Sequence, residues 1–180
     1  MCANYEIDTA TMAERFGLDL SEHSLRLLCT SVRPRDRALV LGPSISPLFR
    51  RWGFEIDWAR NPLFNAKSEE LLNRRTWKPW VNSRCLIPAT AYFEGRKADA
   101  SKRRISVENC PIFYIAGLMN SHCFTMLTCN SATAIRDLHQ RMPCILDPSI
   151  KNDWLNPGID FENVETLLRP CGQKLKVEIP

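Results

Sequence analysis

Five short apolar segments between residues 84 and 128, each bounded by turn or charged residues, limit what this chain can fold into. In chain order they are Arg84–Ile87, Ala91–Glu94, Arg104–Glu108, Ile112–Leu118 and Cys123–Thr128. Runs this short are typical of strands, and the Asn120-Ser121 pair between the last two is a hairpin signal. Near the end of the chain, Lys174–Ile179 alternates polar and apolar residues with the period of two that a strand requires. The sequence therefore predicts a sheet built from many short strands.

Helical patterns in the remaining sequence are short and do not alternate regularly with the strands. Thr11 to Glu14 fits a capping box that opens a helix through Phe16, and four later segments have helical character: Ser68–Arg75, Ala132–Leu138, Ile150–Leu155 and Glu162–Leu168. Three more apolar runs predict strands: Leu25–Val32, Ala38–Leu41 and Phe49–Ile56. This order argues against a Rossmann-type fold and predicts an α+β fold, with a curved, largely antiparallel, barrel-like sheet flanked by short helices. No repeat or flexible linker divides residues 1–180, so we expect a single domain.

Composition and cysteine spacing exclude several classes of protein. No apolar run is long enough to span a membrane, and the first twenty residues carry acidic side chains where a secretory signal needs a basic start. We therefore expect no membrane partner and a cytoplasmic protein, nucleoid-associated when bound to DNA, or nuclear in a eukaryote. The eight cysteines include no C-x-x-C pair, which favours reduced core thiols over a zinc site. Neither a metal nor a cofactor is expected.

Basic residues occur in clusters, although the net charge is only +4. The clusters are Arg33, Arg35 and Arg37; Arg50-Arg51; Arg74-Arg75; and Lys102-Arg103-Arg104. Such groups neutralise phosphates in nucleic-acid-binding proteins, but charge runs also occur on ordinary solvated surfaces. The sequence leaves both interpretations open.

Cys2 stands directly after Met1, so removal of the initiator methionine would leave one residue with both a thiol and an α-amine. An α-amine has an ordinary pKa of roughly 7.7–8.0, against about 10.4 for lysine, so a useful fraction is uncharged and nucleophilic at neutral pH. An aldehyde condenses with that amine to an imine, and the neighbouring thiol can then close a five-membered thiazolidine ring. An internal cysteine lacks this chemistry because its nitrogen is an amide. A structural role for Cys2 is the alternative.

Four segments occur in an order and spacing that make chance agreement with a known pattern implausible. They are Met1-Cys2; Arg51-Trp52-Gly53-Phe54 followed by Asn65-Ala66-Lys67-Ser68-Glu69; Arg84-Cys85-Leu86-Ile87-Pro88-Ala89 running to Tyr92-Phe93-Glu94; and Leu138-His139-Gln140-Arg141-Met142-Pro143. Together they resemble the SRAP family (SOS response-associated peptidase), the abasic-site shield proteins. The resemblance spans most of the chain.

The resemblance implies roles for four side chains. Cys2 would be the nucleophile that joins the aldehyde of the ring-opened deoxyribose, and Asn65 would hydrogen-bond the opened sugar. Glu94 would move protons at the α-amine and the imine, while His139 would be the acid and base that opens the sugar. Without the resemblance, Asn65 also suits an Asx turn before a helix, Glu94 a surface carboxylate and His139 a packing residue.

The resemblance also implies a path for DNA. Pro34 and Trp52 match positions that contact or wedge DNA, with core packing as the alternative, and Arg51 is a candidate phosphate contact. Asn4 replaces a family arginine and keeps a hydrogen bond without a charge, and Lys67 replaces a bidentate fork with a point charge. These departures affect DNA affinity more than covalent chemistry. The implied partner is single-stranded DNA that contains an abasic site, bound by a monomer.

Three functions remain for comparison. The first is a protein that crosslinks to abasic sites and shields them, with a self-processing peptidase activity that exposes Cys2 if the host does not remove Met1. The second is an N-terminal nucleophile amidohydrolase, in which Cys2 attacks, its own amine is the base and Asn65 is an oxyanion donor. This class gives no role to Glu94 or His139. The third is a non-catalytic single-stranded DNA-binding protein that uses basic and aromatic residues.

Overall fold

The structure, a computed structural model, describes residues 2–17, 30–95 and 101–180. It confirms the α+β fold with many short strands and few short helices. The described strands are β1 (Tyr5–Glu6), β2 (Ser31–Val32), β3 (Arg37–Leu41), β4 (Pro47–Trp52), β5 (Asn65–Lys67), β6 (Arg84–Ala89), β7 (Ala91–Gly95), β8 (Lys102–Val107), β9 (Phe113–Met119), β10 (Cys123–Asn130), β11 (Arg141–Pro143), β12 (Ile145–Leu146) and β13 (Leu175–Glu178). The described α-helices are α1 (Thr9–Phe16), α2 (Lys151–Leu155) and α3 (Phe161–Val164).

Five strands close into a barrel because β10 pairs on both of its sides. The order β10-β4-β3-β6-β9 returns to β10 through the antiparallel pairing of β9 with β10, and β5, β11 and β12 extend the wall. Most pairings are antiparallel, but β4 and then β5 run parallel to β10 along the same edge. Arg51 lies opposite Cys123, and Asn65 lies opposite Met126. Because side chains alternate between faces along a strand, this register fixes the face on which each of them lies.

A second sheet, in the order β13-β8-β7-β1-β2, places the start of the chain against the barrel. The two-residue strand β1 lies between β7 and β2, with Tyr5 opposite Tyr92 on one side and Val32 on the other. The Tyr5 ring packs edge-on against Trp52 of the barrel, with ring centroids 5.2 Å apart. Backbone pairing on both sides therefore anchors the N-terminal segment in the second sheet, and the aromatic contact holds it against the barrel.

Helices begin and end differently from the sequence prediction. The Asp8 side chain accepts a hydrogen bond from the Thr11 amide at 2.7 Å, so Asp8 caps α1 and the capping box predicted from Thr11 to Glu14 is not what starts it. The four later helical predictions correspond to shorter elements: Ser68–Glu70 and Thr133–Ile135, which are 3-10 turns, α2, and α3 followed by a 3-10 turn at Glu165–Leu167. Short polar segments between strands do not reach the length at which α-helices become stable alone.

One strand ends earlier than predicted, at Trp52 instead of Ile56. Gly53 follows with φ of 121°, and a Cβ there would lie 2.7 Å from the Cβ of Pro62. Only glycine allows this conformation and this close approach, so the chain turns away from the sheet at that point. Of the strand predicted over Leu25–Val32, the structure has Ser31–Val32, and residues 25–29 lie outside the described residues.

The core joins both sheets through large aromatic side chains, among which Tyr5, Trp52, Tyr92 and Phe124 are fully buried. The described cysteines are free thiols. Four beyond Cys2 are buried, as expected for small core residues, and two are half-buried: Cys85, Cys123, Cys129 and Cys144, then Cys110 and Cys171. Within the described residues, no helix is long and apolar enough to cross a membrane.

Candidate active site

Cys2 is held in a buried position next to the end of β7. The antiparallel pairing of Tyr5 with Tyr92 continues one step further, because the Phe93 amide donates to the Asn4 carbonyl at 2.9 Å. The chain before β1 therefore runs alongside the residues that end β7. The Cys2 side chain is 1% exposed, and its Sγ donates to the Asn4 carbonyl oxygen at 3.2 Å.

Asn65 reaches the same place from the barrel. Its Nδ2 donates to the Cys2 carbonyl oxygen at 2.7 Å, while its Oδ1 is buried and accepts no hydrogen bond from the described residues. Asn65 begins the strand β5 and does not form the Asx turn that its sequence context also allowed. Its amide therefore positions the backbone of Cys2 and leaves one buried acceptor open to a ligand.

Glu94 and His139 form the second half of the site. Glu94 lies near the end of β7 with 5% of its surface exposed, and His139 precedes β11. The His139 Nδ1 lies 3.7 Å from the Glu94 Oε1, with 21% of the histidine side chain exposed. The structure thus brings together the four residues that were predicted to act: Cys2, Asn65, Glu94 and His139.

The His139 ring has hydrogen-bond partners in either protonation state. The Arg141 amide lies 3.0 Å from Nδ1 and can donate to a neutral ring. The Arg141 carbonyl oxygen lies 3.1 Å from the same nitrogen and, like Glu94, can accept from a protonated one. A histidine that keeps its orientation while gaining or losing a proton is suited to proton transfer.

Arg141 is itself held by an ion pair with Glu69 from another motif, here called the Glu69–Arg141 clamp. Its guanidinium forms a two-pronged ion pair with Glu69, in which Nη2 lies 3.0 Å from Oε2, and Nη2 also donates to the Thr128 carbonyl oxygen at 2.6 Å. Partial burial acts to raise the pKa of the Glu69 carboxyl, but the hydrogen bond from Arg141 holds that pKa below its usual value. Glu69 is the last residue of the Asn65–Glu69 motif and had no role predicted from the sequence.

Burial raises the pKa of two side chains of the site, Cys2 and Glu94. Burial raises the pKa of the Cys2 thiol to about 12, and the nearby Glu94 charge adds to that rise. Burial also raises the pKa of the Glu94 carboxyl, with His139 partly opposing it. The Cys2 thiol therefore stays protonated near neutral pH, whereas Glu94 becomes a better proton donor and acceptor there than an ordinary glutamate.

The five residues predicted to contact DNA occupy different environments. Lys67 is exposed and pairs with Glu70 at 2.8 Å, Pro34 is half-buried in a turn, and Asn4 is half-buried and accepts from the Ser31 hydroxyl at 3.0 Å. Arg51 is exposed but lies on the opposite face of the barrel wall from Asn65, because their partners on β10 are three residues apart.

Trp52 is a core residue in this structure. It is fully buried, its indole nitrogen donates to the Phe64 carbonyl oxygen at 2.7 Å, and its ring stacks on Phe124. A side chain without exposed surface offers no face to a nucleobase, so the burial of Trp52 fits the core-packing interpretation and not the DNA contact. The exposed tryptophan is Trp58, 71% exposed, in the loop between Phe54 and Leu63. Its charged and polar neighbours in the sequence could have indicated an unburied position.

The turn that contains Pro34 lies against this tryptophan loop. Arg35 has φ of 82°, in the left-handed region, and its Nη2 donates to the Asn61 side chain at 3.3 Å. The Arg35 amide donates to the Trp52 carbonyl oxygen at 2.8 Å, which ties the turn to the end of β4. The turn of Pro34 and Arg35 thus contacts the loop that carries Trp58.

A buried cysteine at position 2 beside an asparagine, a glutamate and a histidine, on a barrel joined to a second sheet, defines a recognisable class. The chain belongs to the SOS response associated peptidase (SRAP) family, whose sequence model matches residues 1–179. It is 30% identical to the abasic site processing protein YoqW of Bacillus subtilis (strain 168) over 139 residues. This alignment covers 67% of this chain and 62% of that protein. It is 26% identical over 158 residues to the abasic site processing protein YMR114C of Saccharomyces cerevisiae, covering 77% of this chain and 43% of that protein.

Solved structures share the fold. A protein from Bacteroides thetaiotaomicron has a TM-score of 0.81 at 22% identity, with 98% of this chain and 91% of that chain covered. A protein from Bordetella bronchiseptica has a TM-score of 0.80 at 22% identity, with coverage of 98% and 99%. The chain spans about three fifths of the length of the Bacillus relative.

Proposed function

We propose that this chain processes abasic sites in single-stranded DNA, by joining Cys2 to the aldehyde of the lesion once Met1 has been removed. The observation that supports this most is the convergence of four motifs, far apart in sequence, around residue 2. Asn65 binds the Cys2 carbonyl at 2.7 Å, and the Glu94–His139 pair, 3.7 Å apart, lies at the same strand end. The names of the Bacillus and yeast relatives point to the same class of lesion.

The chemistry begins at nitrogen. The free α-amine of Cys2 attacks the aldehyde carbon of the ring-opened sugar, and the resulting carbinolamine loses water to form an imine. The thiol, whose pKa is raised to about 12 by burial, then adds to the imine carbon, and its proton moves to the nitrogen. The product is a five-membered thiazolidine, and the net change is the loss of one water. A thiol that stays protonated favours this order, since it leaves the first attack to the amine.

Glu94 and His139 divide the proton transfers. Glu94, with its raised carboxyl pKa, takes the proton of the α-ammonium group and returns one to the departing hydroxyl of the carbinolamine. His139 opens the closed sugar by moving one proton from the C1 hydroxyl and one to the ring oxygen. The unoccupied Oδ1 of Asn65 accepts a hydrogen bond from a hydroxyl of the opened sugar.

In this proposal DNA passes over the exposed Lys67 and the half-buried Asn4 and Pro34. Lys67 supplies a charge to the DNA backbone, Asn4 a hydrogen bond and Pro34 a rigid turn. Trp58, with 71% of its surface exposed, replaces Trp52 as the residue on which a base stacks. In this proposal a monomer is sufficient.

Crosslinking to a single-stranded oligonucleotide with one abasic site tests the proposal. Protein whose mass confirms the loss of Met1 should give a species that survives a denaturing gel, with one water lost in the mass of the adduct. Cys2→Ser keeps the α-amine, so it should give only an imine that borohydride traps. Cys110→Ser, which changes a half-buried internal cysteine, is the matched control and should crosslink normally. A stable adduct at the wild-type level in Cys2→Ser without borohydride would refute the thiazolidine.

The same Cys2→Ser variant separates the other two functions. An N-terminal nucleophile amidohydrolase should hydrolyse glutamine and lose that activity in Cys2→Ser. A non-catalytic binder should hold intact single strands equally well in Cys2→Ser and give no denaturation-resistant species. Self-processing would instead have the Cys2 thiol attack the carbonyl of residue 1. In that case Glu94→Gln should retain the N-terminal methionine, which the intact mass reports.

A further inference from the structure

A basic cleft lies where the end of β4 meets the start of β10. It has a volume of about 390 Å³ and is lined by Arg37, Arg50, Arg51, Glu55, His122 and Cys123, among others. Three guanidinium groups and one carboxylate give it a net charge of two positive units. None of these side chains takes part in the proposed chemistry at Cys2.

Two of the arginines are placed unfavourably with respect to each other. Arg37 on β3 and Arg51 on β4 are direct cross-strand partners, so both side chains leave the same face of the sheet. Like charges directly opposite each other destabilise a pair of strands. Arg51 pairs with Glu55 at 3.1 Å, whereas the Arg37 guanidinium makes no ion pair or hydrogen bond within the described residues. A bound anion would relieve this repulsion.

The third arginine is held in place at the cleft wall. The Arg50 Nε donates to the Asn120 carbonyl oxygen at 3.2 Å, and its Nη1 donates to the Phe49 carbonyl oxygen at 3.0 Å. The Arg51 amide donates to the His122 carbonyl oxygen at 2.9 Å, which fixes the turn between β9 and β10 beside it. The cleft therefore has an ordered frame, and the free donors of Arg37 and Arg51 extend from it into solvent.

The cleft and the Cys2 site use different faces of the barrel wall. Arg51 shares its face with Cys123, while Trp52, Phe124 and Asn65 alternate to the face against which Tyr5 packs. A strand bound at Cys2 does not bring its nearest phosphates to Arg37 by following that face. The cleft is a separate surface, beyond the contacts that the proposed function requires.

We propose that this cleft binds the phosphodiester backbone of nucleic acid outside the lesion, as a second, reversible contact. Arg37 and Arg51 are exposed, Arg50 is half-buried, and the three are spread across two strands, which suits successive phosphates on a chain. Glu55 inside the cleft weakens binding of a single small anion but leaves a net positive surface for a polyanion. The inference does not depend on the covalent chemistry, because the contact involves no bond to Cys2.

The salt dependence of binding to an unmodified single-stranded oligonucleotide tests this inference. Each phosphate contact on a single strand contributes roughly 0.7 to the slope of log K against log salt, so Arg37→Gln/Arg51→Gln should lower that slope by about 1.4. Arg15→Gln/Arg169→Gln removes the same charge from two exposed positions outside the cleft and should leave the slope unchanged. Equal slopes for the two double variants would overturn the proposal.

Amide resonances locate the contact. Adding the oligonucleotide should shift the backbone amides of Arg51, His122 and Cys123 in the wild-type protein and not in Arg37→Gln/Arg51→Gln. Inorganic phosphate at the same phosphate concentration should shift them far less, and an equal effect would assign the cleft to a free anion and overturn the strand assignment. If the double variant melts below the wild type, Arg37→Gln alone replaces it in the salt and resonance experiments. The Arg37 side chain has no partner to lose within the described residues.

A parallel series in the Cys2→Ala background separates this inference from the proposed function. The slope difference should persist there, since reversible binding at the cleft needs no crosslink. Loss of the slope difference only in the Cys2→Ala background would show that reversible binding at the cleft depends on the Cys2 site and would refute a separate contact.

Discussion

The Glu94 carboxylate and the His139 imidazole lie 3.7 Å apart, Oε1 to Nδ1. Glu94 is nearly enclosed, and burial raises the pKa of its carboxyl. His139 keeps about a fifth of its side chain in solvent. Under the proposed function, the buried Glu94 transfers protons within the site and the partly exposed His139 exchanges protons with the sugar and with water.

The two members of this pair should respond differently to the form of the substrate. His139→Ala should slow crosslinking to a natural abasic site by about 10²–10⁴-fold, because opening of the sugar loses its acid and base. An analogue locked as the open aldehyde should restore most of that rate. Glu94→Gln should be slow on both substrates, since its task follows ring opening. Gel-resolved single-turnover rates measure this, and rescue of Glu94→Gln but not of His139→Ala would reverse the two roles.

Glu94 should also make stability depend on pH. Because burial raises the pKa of the folded carboxyl above its ordinary value of 4.5, the folded state disfavours the ionised form. The free energy of unfolding should therefore fall as pH rises from the ordinary pKa through the raised one. Glu94→Gln should melt above the wild type at pH 8, and the gap should close as pH falls towards 4.5. Glu14→Gln, an exposed helical control, should show no such gap; a gap for Glu94→Gln that widens on acidification would contradict the buried-carboxylate account.

The two tryptophans of the Arg51–Leu63 region should separate stability from binding. Trp52→Ala removes a fully buried side chain and should lower the free energy of unfolding by about 3–5 kcal/mol. Trp58→Ala removes an exposed one and should change it by no more than about 0.5 kcal/mol. Affinity for an intact single strand should instead fall in Trp58→Ala, by about 1–3 kcal/mol if one base stacks there. Chemical denaturation and fluorescence anisotropy measure the two quantities, and unchanged affinity in Trp58→Ala would remove it from the DNA path.

The Glu69–Arg141 clamp should act on rate through the position of His139. Glu69→Gln removes the ion pair that orients Arg141, whose amide and carbonyl contact the His139 ring. We expect slower crosslinking to a natural abasic site, by up to about 100-fold, with rescue by the open aldehyde as for His139→Ala. Glu70→Gln is the control, because Glu70 pairs with Lys67 and Arg74 and not with Arg141. A loss in Glu69→Gln that the open aldehyde fails to rescue would assign the clamp to a different step.

The sequence predicted the sheet and most of its strands, because strand periodicity is a local signal, and its ordered motifs named the four residues that the structure brings together around residue 2. It did not predict β1, since two residues give no periodicity and their pairing with β7 depends on a segment far along the chain. It left Trp52 between a DNA contact and core packing, because a motif reports which residues recur together and not which side of a strand they face. Glu69 was missed for a related reason: its partner Arg141 lies in another motif, and only the fold joins the two.

The pairing of β1 with β7 also limits the time in which an aminopeptidase can remove Met1 during biosynthesis. Cys2 is 1% exposed once β1 is in place, so an aminopeptidase has poor access to the bond before it in the finished fold. During translation at roughly 5–20 residues per second, the start of the chain waits on the order of 5–20 s before β7 is made. Where an aminopeptidase, and not self-processing, removes Met1, the reactive amine must be produced in this interval. By that route, chains made faster than the aminopeptidase can act would fold with the methionine attached and remain inert, so the active fraction of a preparation would depend on its expression rate.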